Sequence, residues 1–304
     1  MDCHKIIEDT YAHILSKENK GAVATYIPEL GKVDPAHFGV CLTTNDGTQY
    51  TAGDAYSPFS IQSIAKVLSL SLALSLEDTM IWQRLDVEPS GSAFNSLVQL
   101  ESENGIPRNP LINAGAIVVC DILCSHLKDP KKELIGYIRD VANNDTIQYS
   151  ETIAQSEKSN GYLNVALVNF MKSFGNIKND VEQVIDLYFY LSSIEMTCCQ
   201  LSKTFGFLAN GGKQLITNKQ ILTRSQSQRV NAIMQTCGFY DEAGEFAYKV
   251  GLPGKSGVGG GIVAVLPNSY SISVWSPKLN EKGNSYRGMK FLQLFTDTTR
   301  ETIF

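Results

Sequence analysis

Two stretches of β-rich sequence near opposite ends of the chain constrain its fold most strongly. Residues 38–44 and 48–52 flank Asn45-Asp46-Gly47, whose residues tolerate the positive φ that a hairpin demands. Near the other end, Gly261–Leu266 and Tyr270–Trp275 flank a second turn, and polar and apolar residues alternate along the latter. Two hairpins, separated by most of the chain, are therefore predicted.

Between the hairpins the pattern is mostly helical. The run VLSLSLALSL at 67–76 alternates as a strand would, but leucine and alanine are strong helix formers and β-branched residues are almost absent after Val67. We predict a buried helix there, whose small serines permit close packing. Apolar residues recur at helical spacing in seven other segments, namely 5–16, 114–126, 131–142, 164–174, 181–191, 195–208 and 286–299.

Strands at both ends with helices between them predict an α+β fold. An antiparallel sheet, flanked by helices and built from both termini, would carry an inserted all-helical lobe. We expect residues 1–62 and 218–304 to form one discontinuous sheet domain and residues 63–217 a helical domain. The active site would lie in the cleft between them.

Charge and cysteine content narrow the partners and the compartment. The net charge of -5 provides no basic field for nucleic acid or an anionic membrane surface, so small molecules are the expected partners. The first twenty residues lack the cationic start and apolar run of a secretory signal, and no apolar run is long enough to span a bilayer. Seven irregularly spaced cysteines fit a reduced compartment. A cytoplasmic protein is expected.

A short cluster of potential metal ligands does not complete a metal site. Cys120, Cys124 and His126 lie close together in sequence, but no second cluster completes a tetrahedral zinc set. Cys120 and Cys124 are one helical turn apart in an apolar segment, which is typical of buried thiols. We predict no metal here.

Ser63 and Lys66 are the first candidates for chemistry. Three residues apart, they would share one helix face, with a base in reach of the hydroxyl and free N–H groups at the helix start favouring an oxyanion. Lys255-Ser256-Gly257 precedes a predicted strand near the end of the chain. The two motifs together resemble the serine β-lactamase and penicillin-binding protein superfamily, although its central Ser-Asp-Asn is missing.

Longer motifs resemble one family, the glutaminases, over nearly the whole chain. They occur in the family's order and are highly specific. The motifs are Phe59-Ser60-Ile61-Gln62-Ser63-Ile64-Ala65-Lys66, Glu88-Pro89-Ser90-Gly91 with Phe94-Asn95, Asn109-Pro110-Leu111-Ile112-Asn113-Ala114-Gly115, and Gly251-Leu252-Pro253-Gly254-Lys255-Ser256-Gly257-Val258.

The resemblance implies hydrolysis of L-glutamine to L-glutamate and ammonia, without a cofactor. Ser63 would be the nucleophile, Lys66 its base, and Tyr26 and Tyr240 hydroxyls beside the reacting centre. The backbone N–H groups of Ser63 and Val258 would form the oxyanion hole. Homodimers or homotetramers are also implied by the family.

The resemblance further assigns the substrate contacts. Glu157 would hold the ammonium group, and Asn113, Asn164 and Tyr188 would contact the amino-acid end, together with Ser63, Tyr240 and Val258. From the residues alone, plainer readings stay open: Glu157 and Asn164 as solvated polar groups, Tyr188 as a core aromatic, and Asn113 as a helix cap.

Two other functions remain as alternatives. One is a β-lactam or D-alanyl peptide hydrolase, and the other is a non-catalytic module that binds an amino acid. The first should carry a secretion signal and has no need of Glu157, whereas the second should have lost Ser63 or Lys66.

Overall fold

The computed structural model describes residues 2–90 and 97–304. The motif residues Gly91, Phe94 and Asn95 lie outside the described part. The helices are α1 (Cys3–Leu15), α2 (Ala65–Glu77), α3 (Leu97–Ser102), α4 (Asn113–His126), α5 (Pro130–Ala142), α6 (Glu151–Asn160), α7 (Tyr162–Ser173), α8 (Val181–Ser192), α9 (Cys198–Ala209), α10 (Arg224–Cys237), α11 (Ala243–Lys249) and α12 (Tyr286–Thr299). The strands are β1 (Ala22–Val23), β2 (Gly39–Thr44), β3 (Gln49–Gly53), β4 (Phe59–Ser60), β5 (Gln148–Tyr149), β6 (Ile194–Met196), β7 (Gly254–Ser256), β8 (Gly261–Leu266), β9 (Tyr270–Trp275) and β10 (Lys278–Leu279).

Both predicted hairpins are present, and they pair with each other. Together with β7, which pairs with β8, they form an antiparallel five-stranded sheet of order β3-β2-β9-β8-β7, in which β2 lies beside β9 with Gly39 opposite Trp275. Gly47 takes φ +87° at the first turn. The prediction of an α+β fold with a sheet from both termini is confirmed.

The two faces of the sheet pack against different layers. One face buries Val40, Ile272 and neighbouring apolar residues against α1 and α12. The opposite face, including Cys41 and Val263, packs against α9, whose other side joins the core of the helical part. The sheet and the helices are therefore linked through one shared apolar layer.

The segment at 67–76 is a buried helix, as predicted. Every residue from Ala65 to Leu74 in α2 is buried, and α2 packs against α4 and α8. Its buried serines are satisfied within the helix, since the Ser69 hydroxyl donates to the Lys66 carbonyl at 3.0 Å and the Ser71 hydroxyl donates to the Val67 carbonyl at 2.8 Å. Small polar side chains can thus sit in a close helix contact without unpaired groups.

The middle of the chain is not entirely helical. β5 and β6 lie within it and pair with β4 in a three-stranded sheet of order β4-β6-β5. The predicted helix start at Glu195 is wrong, because Thr197 and Gln200 form a capping box that begins α9 at Cys198. Within the described residues, no helix has the combination of length and apolar character needed to cross a bilayer.

Candidate active site

A cavity of about 330 Å³ gathers residues that are far apart in sequence. It is lined by every predicted site residue except Lys66, which is buried. The lining residues are Tyr26, Gln62, Ser63, Asn113, Glu157, Asn160, Gly161, Leu163, Asn164, Tyr188, Ser192, Tyr240 and Val258. Because the pocket is small and most of its lining residues have polar side chains, it suits a small polar ligand.

Ser63 lies at the junction of a strand and a helix. β4 pairs with β6, the Ile61 N–H donates to the Ile194 carbonyl at 2.9 Å, and the chain then turns at Gln62 with φ +49°. Ser63 belongs to a single 3₁₀ turn, Gln62–Ile64, that runs directly into α2. The prediction that Ser63 stands near the amino end of a helix holds, although the residue precedes the α-helical part.

Lys66, in the first turn of α2, is fully buried under the pocket. Its Nζ donates to Oδ1 of Asn113 at 2.6 Å and lies 3.5 Å from the Leu111 carbonyl. Burial lowers the pKa of Lys66 to about 7, although the nearby Glu157 carboxylate opposes that shift. A neutral amine has two N–H groups for these two acceptors and keeps one lone pair, which can accept a proton.

Tyr240 reaches Ser63 from the other side of the pocket. Its hydroxyl shares a hydrogen bond with the Ser63 side chain, and burial raises the pKa of Tyr240 to about 12. The phenol is therefore protonated near neutral pH and can donate. Tyr26 stands at the mouth of the pocket, with 58% of its surface exposed.

Glu157, on α6, is buried, so its reading as a solvated carboxylate is wrong. Burial raises the pKa of Glu157 to about 7, and a hydrogen bond from Gln62 and the charge of Lys66 oppose that rise. An anion this poorly hydrated gains much from a cationic partner. The pocket thus offers a place for a positively charged group.

Asn113, Asn164 and Lys66 form a connected polar row. Asn113 Nδ2 donates to Asn164 Oδ1 at 3.0 Å, while its Oδ1 accepts from Lys66. The cap reading of Asn113 is wrong, since Ile112 occupies the N-cap position and no side chain caps α4. Tyr188 is indeed buried, and its ring lies 5.9 Å from Lys66 Nζ, yet it also lines the pocket.

The segment Gly257-Val258-Gly259 closes the pocket beside Ser63. A Cβ on Gly257 would lie 2.5 Å from the Ile61 carbonyl oxygen, and one on Gly259 would lie 2.3 Å from that of Ser60. Within residues 2–90 and 97–304, the Val258 N–H donates to no backbone or side-chain acceptor. A free donor in a loop pressed against the Ser63 turn can stabilise an oxyanion.

Trp275 anchors that segment to the sheet. Its indole N–H donates to the Gly259 carbonyl at 3.0 Å, and its ring stacks on Phe59 with centroids 4.8 Å apart. Phe59 belongs to β4, which leads into the Ser63 turn. One aromatic side chain therefore ties both walls of the pocket together.

Sequence reasoning missed several pocket residues. Gln62, Gly161, Leu163 and Ser192 line the cavity without a pattern that marks them, although Gln62 precedes the nucleophile candidate. Asn160 also lines it.

Cys120, Cys124 and His126 all lie on α4. Cys120 and Cys124 are buried on α4, as predicted, and His126 bonds the Glu77 carboxylate at 2.6 Å. The described residues hold no group of three or more side chains suited to a metal ion.

The fold and the pocket define an α+β hydrolase. The family model described as Glutaminase matches residues 21–304, and the chain belongs to the glutaminase family. Two proteins named glutaminase, from Christiangramia forsetii and Saccharophagus degradans, are 54% and 57% identical to it over 304 residues, spanning all of this chain and 100% and 99% of theirs.

Solved structures agree with this assignment. The structure titled as the probable glutaminase ybaS superposes with a TM-score of 0.95 at 32% identity, covering 100% of this chain and 99% of that one. A probable glutaminase from Bacillus subtilis, complexed with 6-diazo-5-oxo-L-norleucine, gives 0.89 at 28% identity, with 100% and 97% covered.

Proposed function

We propose that this chain hydrolyses L-glutamine to L-glutamate and ammonia through an ester on Ser63. The observation that carries the proposal is the pocket itself. Ser63 shares a hydrogen bond with Tyr240, stands one turn before a buried lysine, and faces the same cavity as the buried carboxylate of Glu157. The names of the relatives, all glutaminases, support the choice of substrate.

Acylation begins with attack of Ser63 Oγ on the side-chain amide carbon of glutamine. Burial lowers the pKa of Lys66 to about 7, so a large fraction of the amine is neutral near neutral pH and takes the hydroxyl proton. The oxyanion accepts from the backbone N–H groups of Ser63 and Val258. The carbon–nitrogen bond then breaks as Tyr240 delivers a proton to the leaving nitrogen, and ammonia departs.

Deacylation reverses these roles with water as the nucleophile. Water loses a proton to the Tyr240 phenolate as it attacks the ester carbon, and the Ser63 oxygen regains a proton from the Lys66 ammonium when the ester bond breaks. Glutamate leaves, and Lys66 and Tyr240 return to their starting protonation states. Side chains of the protein supply every proton transfer in this scheme.

Substrate recognition divides between one anion and several neutral groups. Glu157 holds the ammonium group of glutamine, since its buried carboxylate lacks full hydration. Asn113, Asn164 and Tyr188 contact the rest of the amino-acid end from α4, α7 and α8. The site therefore selects a free amino acid over a simple amide.

The wider expectations are part of the same proposal. Residues of two groups line the pocket: one group belongs to 1–62 and 218–304, and the other to 63–217. This supports a discontinuous sheet domain and a helical domain with the site between them. A cytoplasmic location and a homodimer or homotetramer are proposed from the sequence and the family.

Ammonia release from L-glutamine by the purified protein and by Ser63→Ala tests the function. We expect turnover in the wild type only, and one adduct of 6-diazo-5-oxo-L-norleucine, mapped to Ser63, in the wild type only. Penicillin and D-alanyl-D-alanine peptides should not be hydrolysed. An active Ser63→Ala protein, or an adduct on another residue, would refute the nucleophile.

A further inference from the structure

Tyr240 has an unfavourable backbone conformation that contacts with neighbouring residues must stabilise. Its φ is +55°, a left-handed conformation that is unfavourable for a residue other than glycine. It belongs to the short 3₁₀ turn Tyr240–Glu242 after α10, far in sequence from Ser63. The hydroxyl stays at Ser63 only if this turn is fixed from outside.

Lys255 is the side chain that meets this turn from the sheet. It lies on β7 and is fully buried. Its Nζ donates to the Gly238 carbonyl at 3.0 Å and to the Ser256 carbonyl at 2.6 Å. The same nitrogen lies 4.3 Å from the centroid of the Tyr240 ring.

The backbone at Gly238, which follows α10, packs closely against β7. A Cβ on Gly238 would lie 1.8 Å from the Gly254 carbonyl oxygen, so only glycine allows the end of α10 to touch β7. The Ser256 N–H also donates to the Gly238 carbonyl at 3.2 Å. The residues before Tyr240 are thus fastened to the strand that carries Lys255.

We propose that Lys255 is a positioning residue for the reaction, which keeps the Tyr240 hydroxyl on Ser63 by clamping the Gly238 carbonyl and supporting the Tyr240 ring. The proposal rests on the proposed function. Lys255 does not line the cavity in which the substrate would sit, so its effect passes through Tyr240.

Lys255 acts through its hydrogen bonds more than through its charge. Burial and the neighbouring Lys66 both lower the pKa of Lys255, which favours the neutral amine. A neutral amine has two N–H groups, and two carbonyl oxygens accept them. The role thus depends on the donors and on the length of the side chain.

Lys255→Met keeps the length and the burial of the side chain but removes both donors. We expect kcat for glutamine to fall about 10²-fold, as for a misplaced catalytic group, and KM to change less than about threefold. In a Tyr240→Phe background the same substitution should cost less than about threefold more, because the group it positions is already gone. Lys255→Gln, which keeps an NH₂ group, is measured alongside.

Lys131→Met is the matched control. Lys131 also lies over a tyrosine ring, 4.1 Å from the Tyr190 centroid, but on the surface. It should leave both constants unchanged. Any of three outcomes would overturn the inference. The losses of the two single variants multiply in the double variant, KM rises by the same factor as kcat falls, or circular dichroism shows that both Lys255 variants are unfolded.

The wild type separates this inference from the proposed function. If it releases no ammonia from glutamine, the function itself is wrong. If it is active and Lys255→Met is equally active, only the role of Lys255 fails.

Discussion

The side-chain nitrogen of Lys66 is held by the side-chain oxygen of Asn113, 2.6 Å away and 47 residues further along the chain. An uncharged acceptor at this place adds no negative charge that would favour the ammonium form, so it is consistent with the lowered pKa of about 7 of Lys66. The amide of Asn113 thus bears on the proton chemistry as well as on substrate contact. Its replacement by a carboxylate should expose that effect.

Asn113→Asp is expected to move the pH dependence of kcat/KM. In the wild type Lys66 is neutral above about pH 7 and Glu157 is ionised above about pH 7, so kcat/KM should fall as the pH drops below 7. A carboxylate beside Lys66 favours its charged form, which should shift this limb upward by about 1–3 pH units. Asn169→Asp on the exposed face of α7 changes the net charge equally and should leave the profile in place. An unmoved limb in Asn113→Asp would contradict Lys66 as the base.

Glu157→Gln should weaken glutamine binding while preserving the shape of the pocket. The substrate ammonium loses its charged partner, so KM should rise at least about tenfold, which is the range of a lost charge-assisted hydrogen bond. N-acetylglutamine, which has no ammonium group, should be a poor substrate for both proteins. Equal hydrolysis of glutamine and N-acetylglutamine by the wild type would show that Glu157 does not bind the amino group.

The same substitution should stabilise the protein in a pH-dependent way. The pKa of Glu157 is about 7 in the folded state against an ordinary 4.5, so the folded state loses stability as the pH rises from 4.5 through 7. Glu157→Gln avoids this cost, which amounts to at most about 3 kcal/mol above pH 7. Thermal unfolding at pH 8 and pH 5 should show a Tm gain that shrinks at the lower pH. A gain that is larger at pH 5 would reverse the sign of the argument.

Gly259→Ala should damage the oxyanion hole. Its Cβ would press on the Ser60 carbonyl oxygen at 2.3 Å and push the Val258 N–H away from Ser63. We expect kcat to fall about 10²-fold, which is the usual cost of one lost donor. Gly136→Ala, where a Cβ on α5 meets nothing within 4 Å, should keep full activity and gain up to about 1 kcal/mol of stability. Normal turnover in Gly259→Ala would remove Val258 from the oxyanion hole.

Lys66→Met and Tyr240→Phe should stop the reaction at different stages. Without Lys66 the serine is not activated, so no acyl-enzyme forms. Without the Tyr240 hydroxyl, no phenolate forms to take the proton of the attacking water, so deacylation slows more than acylation and the ester accumulates, adding about 129 Da in rapidly quenched samples with glutamine. Intact mass spectrometry distinguishes the two. An adduct on Lys66→Met would exchange the roles, and its absence from both would show that loss of the Tyr240 proton limits acylation rather than deacylation.

Long periodic elements could be predicted from the sequence, and short or polar ones could not. α12 and the strands β8 and β9 have the predicted bounds, because their turn signals and apolar periods are strong. α6 went unpredicted because few apolar residues mark its buried face, and α10 because its first residues, Arg224 to Arg229, are all polar and the apolar residues Val230, Ile233, Met234 and Cys237 come only after them. β5 has only two residues, fewer than any period can reveal.

The site residues, too, could be predicted from the sequence only where they lie close together along the chain. From the residues alone, only Ser63 and Lys66 were related by spacing, and the other members came from family resemblance. The contacts from Asn113 to Lys66 and from Lys255 to the Tyr240 turn join segments that meet only in the folded chain. No local pattern carries such information.

The pairing of β2 with β9 sets the order in which the molecule can be completed. Val40 lies opposite Val274, so the centre of the sheet joins residues separated by most of the chain. At ordinary rates of synthesis, β2 and β3 leave the ribosome on the order of ten seconds before their partner strands. Until β9 is synthesised, the β2 edge of the first hairpin has no partner strand, while the helices of the middle segment can already form. Contacts between residues this distant in sequence also make folding slow. The architecture that brings Tyr240 and Val258 back to Ser63 therefore ties the appearance of a working pocket to the last steps of folding.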